Sequence, residues 1–288
     1  MGSRMHMRGF DPVCDAKAVL ALINDDRVPG QPICTASMLQ DAASGRSPVD
    51  NNWWVELDKP VIEVAENADG DLVGVASFAL RRRDGVGFIL WLHGREQPAV
   101  VELLINHSVR RLATRVVEAY QFATALGIGL EALPVAHRSA TAAALQARGF
   151  AGTDMWRYMR RDLPAPELPT VDHIASSHVI AADESGEAGL AIVDDDGKIV
   201  GEVTVQRPQD GIAALWWINI EPAQRRRGLG RALLGSALRY LSDDGAEQVI
   251  LFVDDDEPEG SRERASANRL YDQCGFEEID RLHAFTLR

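Results

Sequence analysis

The sequence predicts an α/β fold, an α+β mixed sheet with helices on both faces, present twice in one chain. Three observations predict it. Apolar runs of strand length alternate with stretches whose apolar residues recur at helical spacing. The stretch "DGDLVG" (Asp69 to Gly74) returns as "DGKIVG" (Asp196 to Gly201), and "ALQARGF", ending at Phe150, returns as "LYDQCGF", ending at Phe276. From Gly74 to Gly149 is 75 residues and from Gly201 to Gly275 is 74, so the two anchors keep register, as a duplication would. Between them "DLPAPELPTVD" (Asp162 to Asp172) holds three prolines in a short polar stretch, a linker composition. The expected division is residues 8–162, a linker at 163–172, and residues 173–288.

In the first half, Ala16–Asn24 and Ala36–Ala43 read as helices. Val61–Ala65, Leu72–Leu80 and Val86–Leu92 read as strands. Ala99–Leu126 reads as one long helix, Gly129–Leu133 as a strand, Ser139–Arg148 as a helix and Met155–Arg160 as a last strand.

The second half repeats the order. Gly189–Val193 and Ile199–Gln206 flank a turn at Asp195–Gly197. Ile212–Ile220, "IAALWWINI", is an almost continuous apolar run and hence a buried strand. From Arg227 to Leu241 the residues Leu229, Leu233, Leu234, Ala237, Leu238 and Leu241 recur at helical spacing. Gln248–Val253 is a strand, and Arg262–Cys274 a helix with Gly275 placed to stop it. Ile279–Leu287 is a closing strand. Only Thr170 to Ala188 precedes the first strand of this half, too little for a counterpart of the two N-terminal helices.

Composition bounds the function. With 46 % hydrophobic and 25 % charged residues, the 288-residue chain is a folded globular protein. A net charge of −13 argues against general nucleic-acid binding, because a phosphate backbone would be repelled overall. Cys14, Cys34 and Cys274 are scattered, so neither a metal site nor a disulfide framework is implied, and a reducing cytoplasm is expected. The opening "MGSRMHMRGF" lacks the apolar region of a signal peptide, and no apolar run reaches the roughly 18 residues of a membrane span. The paired aromatics Trp53–Trp54 and Trp216–Trp217 read as core. A small-molecule partner and a monomer or homodimer are expected.

One stretch runs against the acidic balance. "PAQRRRGLGRALLGSAL" (Pro222 to Leu238) gathers Arg225, Arg226, Arg227 and Arg231 around Gly228 and Gly230 where a strand gives way to a helix. The first N–H groups of a helix have no intrahelical partner and, with the helix dipole, make an anion site. Two glycines let a pyrophosphate approach the backbone, and arginine suits phosphate better than a lysine point charge. A tight turn with a solvated basic helix start, or a nucleic-acid patch, would share the pattern. It is neither G-x-G-x-x-G nor G-K-[ST].

The R-x-x-G-x-G pattern of Arg225 to Gly230, after a strand ending "INIEP", resembles the acetyl-CoA pyrophosphate loop of the GNAT acyltransferase superfamily. The resemblance continues in "ASANRLYDQCGF" (Ala265 to Phe276), similar to that superfamily's A-x-x-L-Y-x-x-x-G-F segment. It implies acetyl-CoA as acyl donor, held by Arg225, Arg226, Arg227, Gly228, Leu229, Gly230 and Arg231. It implies Tyr271, beside the CoA sulfur, as the general acid for the leaving thiolate, a fitting task for a phenol of pKa about 10. It also implies that the backbone of Ile218, Asn219 and Ile220 pairs with the pantetheine arm and polarises the acyl carbonyl. An asparagine that often stands seven residues before the tyrosine is Arg264 here, while Asn268 stands three before it, so either is the CoA contact. For the general base Glu221, Asp254, Asp255, Asp256 and His283 are candidates, with Glu221 ahead.

The first half lacks this equipment. Leu145 aligns with Tyr271, and the stretch matching the loop, "GREQPAVVELL" (Gly94 to Leu104), has Pro98 near the helix start and valine side chains expected to block a pyrophosphate. One active site, in the second half, is expected. The tandem arrangement with "QRRRGLG" in the second half resembles the mycothiol synthase family, which acetylates a cysteinyl amine. The expected function is acetyl-CoA-dependent N-acetylation of a small primary amine (amino sugar, aminoglycoside-like or cysteinyl conjugate). The rival is a non-catalytic acyl-CoA-binding regulatory module.

Overall fold

The computed structural model describes residues 5–47, 49–171, 176–180, 187–194, 196–254 and 262–288, of which 176–180 and 262–264 by backbone alone. In chain order the elements are β1 (His6–Gly9), α1 (Ala16–Asp25), α2 (Ala36–Ala43), α3 (Asn51–Trp54), β2 (Val61–Glu66), β3 (Leu72–Leu80), β4 (Gly87–His93), α4 (Pro98–Leu112), β5 (Val117–Ala119), β6 (Leu133–Pro134), α5 (Ser139–Ala147), β7 (Ala151–Asp162), β8 (Ser176–Ile180), β9 (Glu187–Val193), β10 (Ile199–Gln209), β11 (Ile212–Ile220), α6 (Leu229–Asp243), β12 (Gln248–Val253), α7 (Arg262–Gln273) and β13 (Glu277–Leu287). Two compact units form, Met1–Met155 with Asp280–Arg288, and Trp156–Ile279.

Each unit has the same strand order. In the first, β1 to β4 pair antiparallel in sequence, β5 joins β4 in parallel, and β13 closes against β5 antiparallel and carries β6. In the second, β8 to β11 pair antiparallel, β12 joins β11 in parallel, and β7 closes against β12 antiparallel. The closing strands are exchanged. Residues Arg157–Asp162, from the first sequence half, pair with Val253–Gln248, whereas Phe285–Leu287, from the end of the chain, pair with Ala119–Val117. The sequence halves 8–162 and 173–288 and the compact units therefore divide the chain at different places.

The first unit has helices on both faces of its sheet. Val19, Leu22 and Ile23 of α1 and Leu39 of α2 pack with Phe88, Leu90 and Trp91. Val100, Val101, Leu104 and Ile105 of α4 and Leu145 of α5 pack with Ile89, Leu92 and Phe285. In the second unit Leu233, Leu234, Leu238 and Leu241 of α6, all fully buried, pack with α7 and the sheet, each contributing about 2 kcal/mol of burial.

One helix is shorter than the pattern predicts. The expected Ala99–Leu126 helix ends at Leu112, where Ala113 takes a left-handed conformation (φ 50°) and donates its N–H to Val109. Val117 and Ala119 are then buried around a half-buried Glu118, a period of two hidden inside an apparent helical period, and they form β5. The strand expected at Gly129–Leu133 is reduced to Leu133–Pro134. The elements β1, α3 and β8, each of five residues or fewer, are too short for periodicity to reveal.

The proline stretch is a packed strap. Leu168 and Val171 are buried in the α6 core, and the Val171 N–H donates to Ser236 Oγ at 2.9 Å. A Cβ on Gly235 would lie 2.2 Å from the Pro169 carbonyl oxygen, so the strap dictates glycine in the middle of α6. Asp172 lies outside the described residues. Cys14 is exposed, Cys34 and Cys274 are buried, and all three are free. Among the described residues no helix is long and apolar enough to cross a membrane.

Candidate functional site

The site begins with a parted pair of strands. Among the described residues β11 pairs with β12 only from Ile212 to Leu215, and beyond Leu215 that edge has no strand partner. On its other edge Thr204 pairs with Trp217 and Val205 with Leu215, which leaves Trp216 as the extra residue of a β-bulge. The Glu221 N–H donates to the Val200 carbonyl at 2.9 Å, which sets the alternation of the ladder. Asn219 then turns its backbone groups toward Glu202, while Ile218 and Ile220 turn theirs toward the open edge. Of the three expected backbone contacts, the two isoleucines face the gap and Asn219 does not.

After β11 the chain makes a 3-10 turn (Pro222–Gln224) and reaches α6 through Arg226 and Gly228, both left-handed at φ 63° and 81°. Gly228 caps α6 with no side-chain bond, so the first amides of the helix are left for another partner. A Cβ on Gly228 would meet nothing within 4 Å, so its conformation rather than crowding requires glycine. A Cβ on Gly230 would lie 3.7 Å from Ile220 and 3.9 Å from Leu270, ordinary contact that gives the protein itself no need of glycine.

The arginines are not equivalent. Arg225 Nε donates to the Ile220 carbonyl at 2.8 Å, clasping the end of β11, and the residue also lines the groove. Arg227 is hydrogen-bonded to Gln224 and does not line the groove. Arg226 and Arg231 are exposed and do line it. The groove, of about 720 Å³, runs from Trp217–Ile220 past Gly228–Arg231 to Ser266, Ala267 and Leu270 of α7. Among the described residues lining it there is no carboxylate.

Tyr271 is on the same helix but is packed in the core, 6 % exposed and edge-on to Phe276 at 5.6 Å between ring centres. Burial pushes its phenol above the ordinary value. Asn268 is occupied structurally. Its Oδ1 accepts from Arg157 at 2.7 Å and its Nδ2 donates to the Asp254 carbonyl at 3.0 Å, tying α7 to β7 and to the end of β12. Glu221 is half-buried at the end of β11 and is not on the groove wall. His283 belongs to the first unit, where it pairs with Leu133 and stands 3.8 Å from Asp154. The Arg264 side chain and Asp255 and Asp256 lie outside the described residues. Trp217 is 48 % exposed on the groove and not in the core as its sequence suggests; alternation alone cannot place it, because the bulge at Trp216 resets the faces. Ser266 and Leu270, four apart on α7, carried a helical signal that was available.

The first unit repeats the geometry without the loop. Ser77 pairs with Trp91 and Phe78 with Ile89, so Leu90 is bulged, and β4 and β5 part after Ile89. Only the four residues Gly94–Gln97 join β4 to α4, against the eight residues Glu221–Gly228 that join β11 to α6. Helix α4 opens on Pro98, which has no N–H, and the Val100 amide already donates to Gln97. Val100 and Val101 are buried in the core, so a short connection, not blocking valines, distinguishes this helix start from that of α6.

Residues 153–276, which span the bulge, the loop and α7, match the Acetyltransferase (GNAT) family. This stretch is a GNAT acetyltransferase domain. A mycothiol acetyltransferase of Amycolatopsis mediterranei is 27 % identical over 69 % of this chain and 64 % of its own length. One of Thermomonospora curvata is 34 % identical over 31 % of this chain and 28 % of its own. The chain thus spans less than two thirds of the length of the curated relatives it matches. A tandem GNAT protein from the clavulanic acid biosynthesis pathway shares the fold over 98 % of both chains, with a TM-score of 0.66 and 17 % identity. The fold is that of tandem GNAT proteins.

Proposed function

We propose that the protein is an acetyl-CoA-dependent N-acetyltransferase, acting in the cytoplasm on a small primary amine. The observation that carries this reading is that the uncapped start of α6 and the unpaired edge of β11 border one groove with arginines and no carboxylate among its described lining residues. The groove fits the donor. The amides at Gly228–Arg231, with Arg226 and Arg231, would hold the pyrophosphate, and the backbone of Ile218 and Ile220 would pair with the pantetheine arm. When bound, acetyl-CoA supplies an activated acetyl group.

The chain's own residues then have separable tasks. The Ile218 and Ile220 N–H groups donate to an acyl oxygen on which charge develops. Arg225 is a positioning residue, because it fixes the Ile220 carbonyl. Tyr271 keeps its phenolic proton through burial and releases it to the departing thiolate. Glu221 takes the proton of the amine through water, since it stands off the groove wall. The acceptor classes are amino sugars, aminoglycoside-like amines and cysteinyl conjugates, the last from the relatives named mycothiol acetyltransferase.

The test is thiol release from acetyl-CoA with a panel of these amines and polyamines. Release that depends on one class of amine is the expected result. Calorimetric binding of acetyl-CoA without turnover on any amine would replace this reading with the regulatory module.

A further inference from the structure

The first unit holds a cavity of about 90 Å³ that the proposed reaction does not use, with room for more than a single water. It lies where β4 and β5 part, with Leu90, Trp91 and His93 on one wall and Tyr120 and Phe122 on another. Trp91 Nε1 is buried with no hydrogen-bond partner among the described residues, and the Tyr120 hydroxyl and His93 Nδ1 are buried near it, beside the Leu92 backbone and Asp26 respectively. Trp91 is 3 % exposed. His93 Nδ1 is 3.3 Å from Asp26 Oδ2 but outside hydrogen-bond geometry. Buried polar groups are ordinarily paired, and a donor left without a partner on a cavity wall points to one that comes from outside.

The charges around the cavity balance. Arg138 Nε donates to Glu96 at 2.7 Å, and its Nη2 donates to the Leu92 carbonyl at 2.9 Å and stands 3.6 Å from Asp26. Asp26 in turn accepts from the Gly94 and Arg95 amides at 2.9 and 3.2 Å. Arg27 donates to the Gln31 carbonyl. On the cavity wall the buried Asp26 faces the buried Arg138, while Arg27 is exposed, so a charged guest would leave a buried charge uncompensated. The Trp91 indole can only donate, so the guest must bring an acceptor oxygen. The remaining walls, Val28, Phe122, Leu126 and Leu130 among them, suit an apolar body.

We propose that this cavity binds a small neutral carbonyl compound, an amide with an apolar substituent, whose oxygen accepts from the Trp91 indole and the Tyr120 hydroxyl. It is not a second site for coenzyme A, because the loop amides are held by Asp26 and α4 opens on proline. The site is independent of the transferase reading.

The test titrates the full chain with N-benzylacetamide, benzylamine and phenylacetate, followed by saturation-transfer NMR. The amide is expected to bind saturably and the cationic and anionic analogues at least about tenfold more weakly. Tyr120→Phe and Trp91→Phe, each with an unchanged thermal melt as the control of folding, are each expected to weaken the amide about tenfold, the loss of one hydrogen bond. Gly228→Val, in the other unit, is expected to leave amide binding unchanged. Equal binding of all three probes, no binding of the amide, or full amide binding in a well-folded Tyr120→Phe would each overturn the proposal; the second outcome would leave the cavity to water.

Discussion

Gly230→Ala separates the needs of the fold from the needs of the ligand. A Cβ at this position would make only ordinary contact, 3.7 Å to Ile220 and 3.9 Å to Leu270, so no packing is lost. Alanine in place of glycine inside α6 favours the helix by up to about 1 kcal/mol, which raises the melting temperature by about 2–4 °C. The same methyl group stands on the first turn, beside the amides proposed to hold the pyrophosphate. Losing one hydrogen bond to a charged group costs about 1.5–3 kcal/mol, so acetyl-CoA affinity should fall roughly 10- to 100-fold. The assay is calorimetric titration with acetyl-CoA alongside a ligand-free thermal melt. Gly228→Ala is the contrasting variant: its Cβ meets nothing, but its φ of 81° costs an alanine about 1–2 kcal/mol, so it should melt lower. Wild-type affinity in a Gly230→Ala protein that melts no lower would refute the idea that the glycine is there for the phosphate.

Three further outcomes follow from the same contacts. Tyr271→Phe should lower turnover at unchanged acetyl-CoA affinity, checked by steady-state kinetics across pH; wild-type rates throughout would remove the acid assignment. Ser236→Ala should orphan the buried Val171 N–H and cost about 1–3 kcal/mol, read from urea denaturation. Burial raises the pKa of Tyr120 and Tyr271, so above pH about 10 the unfolded chain releases protons that the fold retains. Stability should therefore decline with rising pH there, and Tyr120→Phe should flatten the decline, measured by denaturation at a series of alkaline pH values.

The parts of the site legible in the sequence were those written in local chemistry. Glycine and arginine at fixed spacing after an apolar run marked the start of α6, because the backbone conformation of Gly228 and the helix start are properties of a few adjacent residues. The assignment of each arginine was not legible. Whether Arg225 meets phosphate or the Ile220 carbonyl depends on how the 3-10 turn folds the loop back on β11. The place of Asn268 before Tyr271 marks it in the sequence, but two of its partners, Arg157 and Asp254, are 111 and 14 residues away and only the fold reveals them. The overextended α4 had a related cause: Val117 and Ala119 fit either period, and parallel pairing with β4 decided between them. The cavity of the first unit was invisible for the same reason, since Asp26, His93, Tyr120 and Arg138 meet only through the tertiary fold.

The exchange of closing strands carries a consequence that no reading by sequence halves would reach. Phe285 stands near the end of the second half in sequence, yet it is fully buried among Ile89, Leu92, Leu104 and Leu145 of the first unit. Phe285→Ala should therefore cost about 3–5 kcal/mol, the usual range for a fully buried phenylalanine, and the loss should fall on the first unit. Amide hydrogen exchange resolves where it falls. The amides of β4, β5 and α4 should exchange faster, because Phe285 packs against them and β13 pairs with β5. Those of β11, β12 and α6 should keep their rates, because their core draws its closing strand from Arg157–Asp162. Faster exchange confined to β11 and β12 would show that the last strand serves its own sequence half, and the exchange of strands would be wrong.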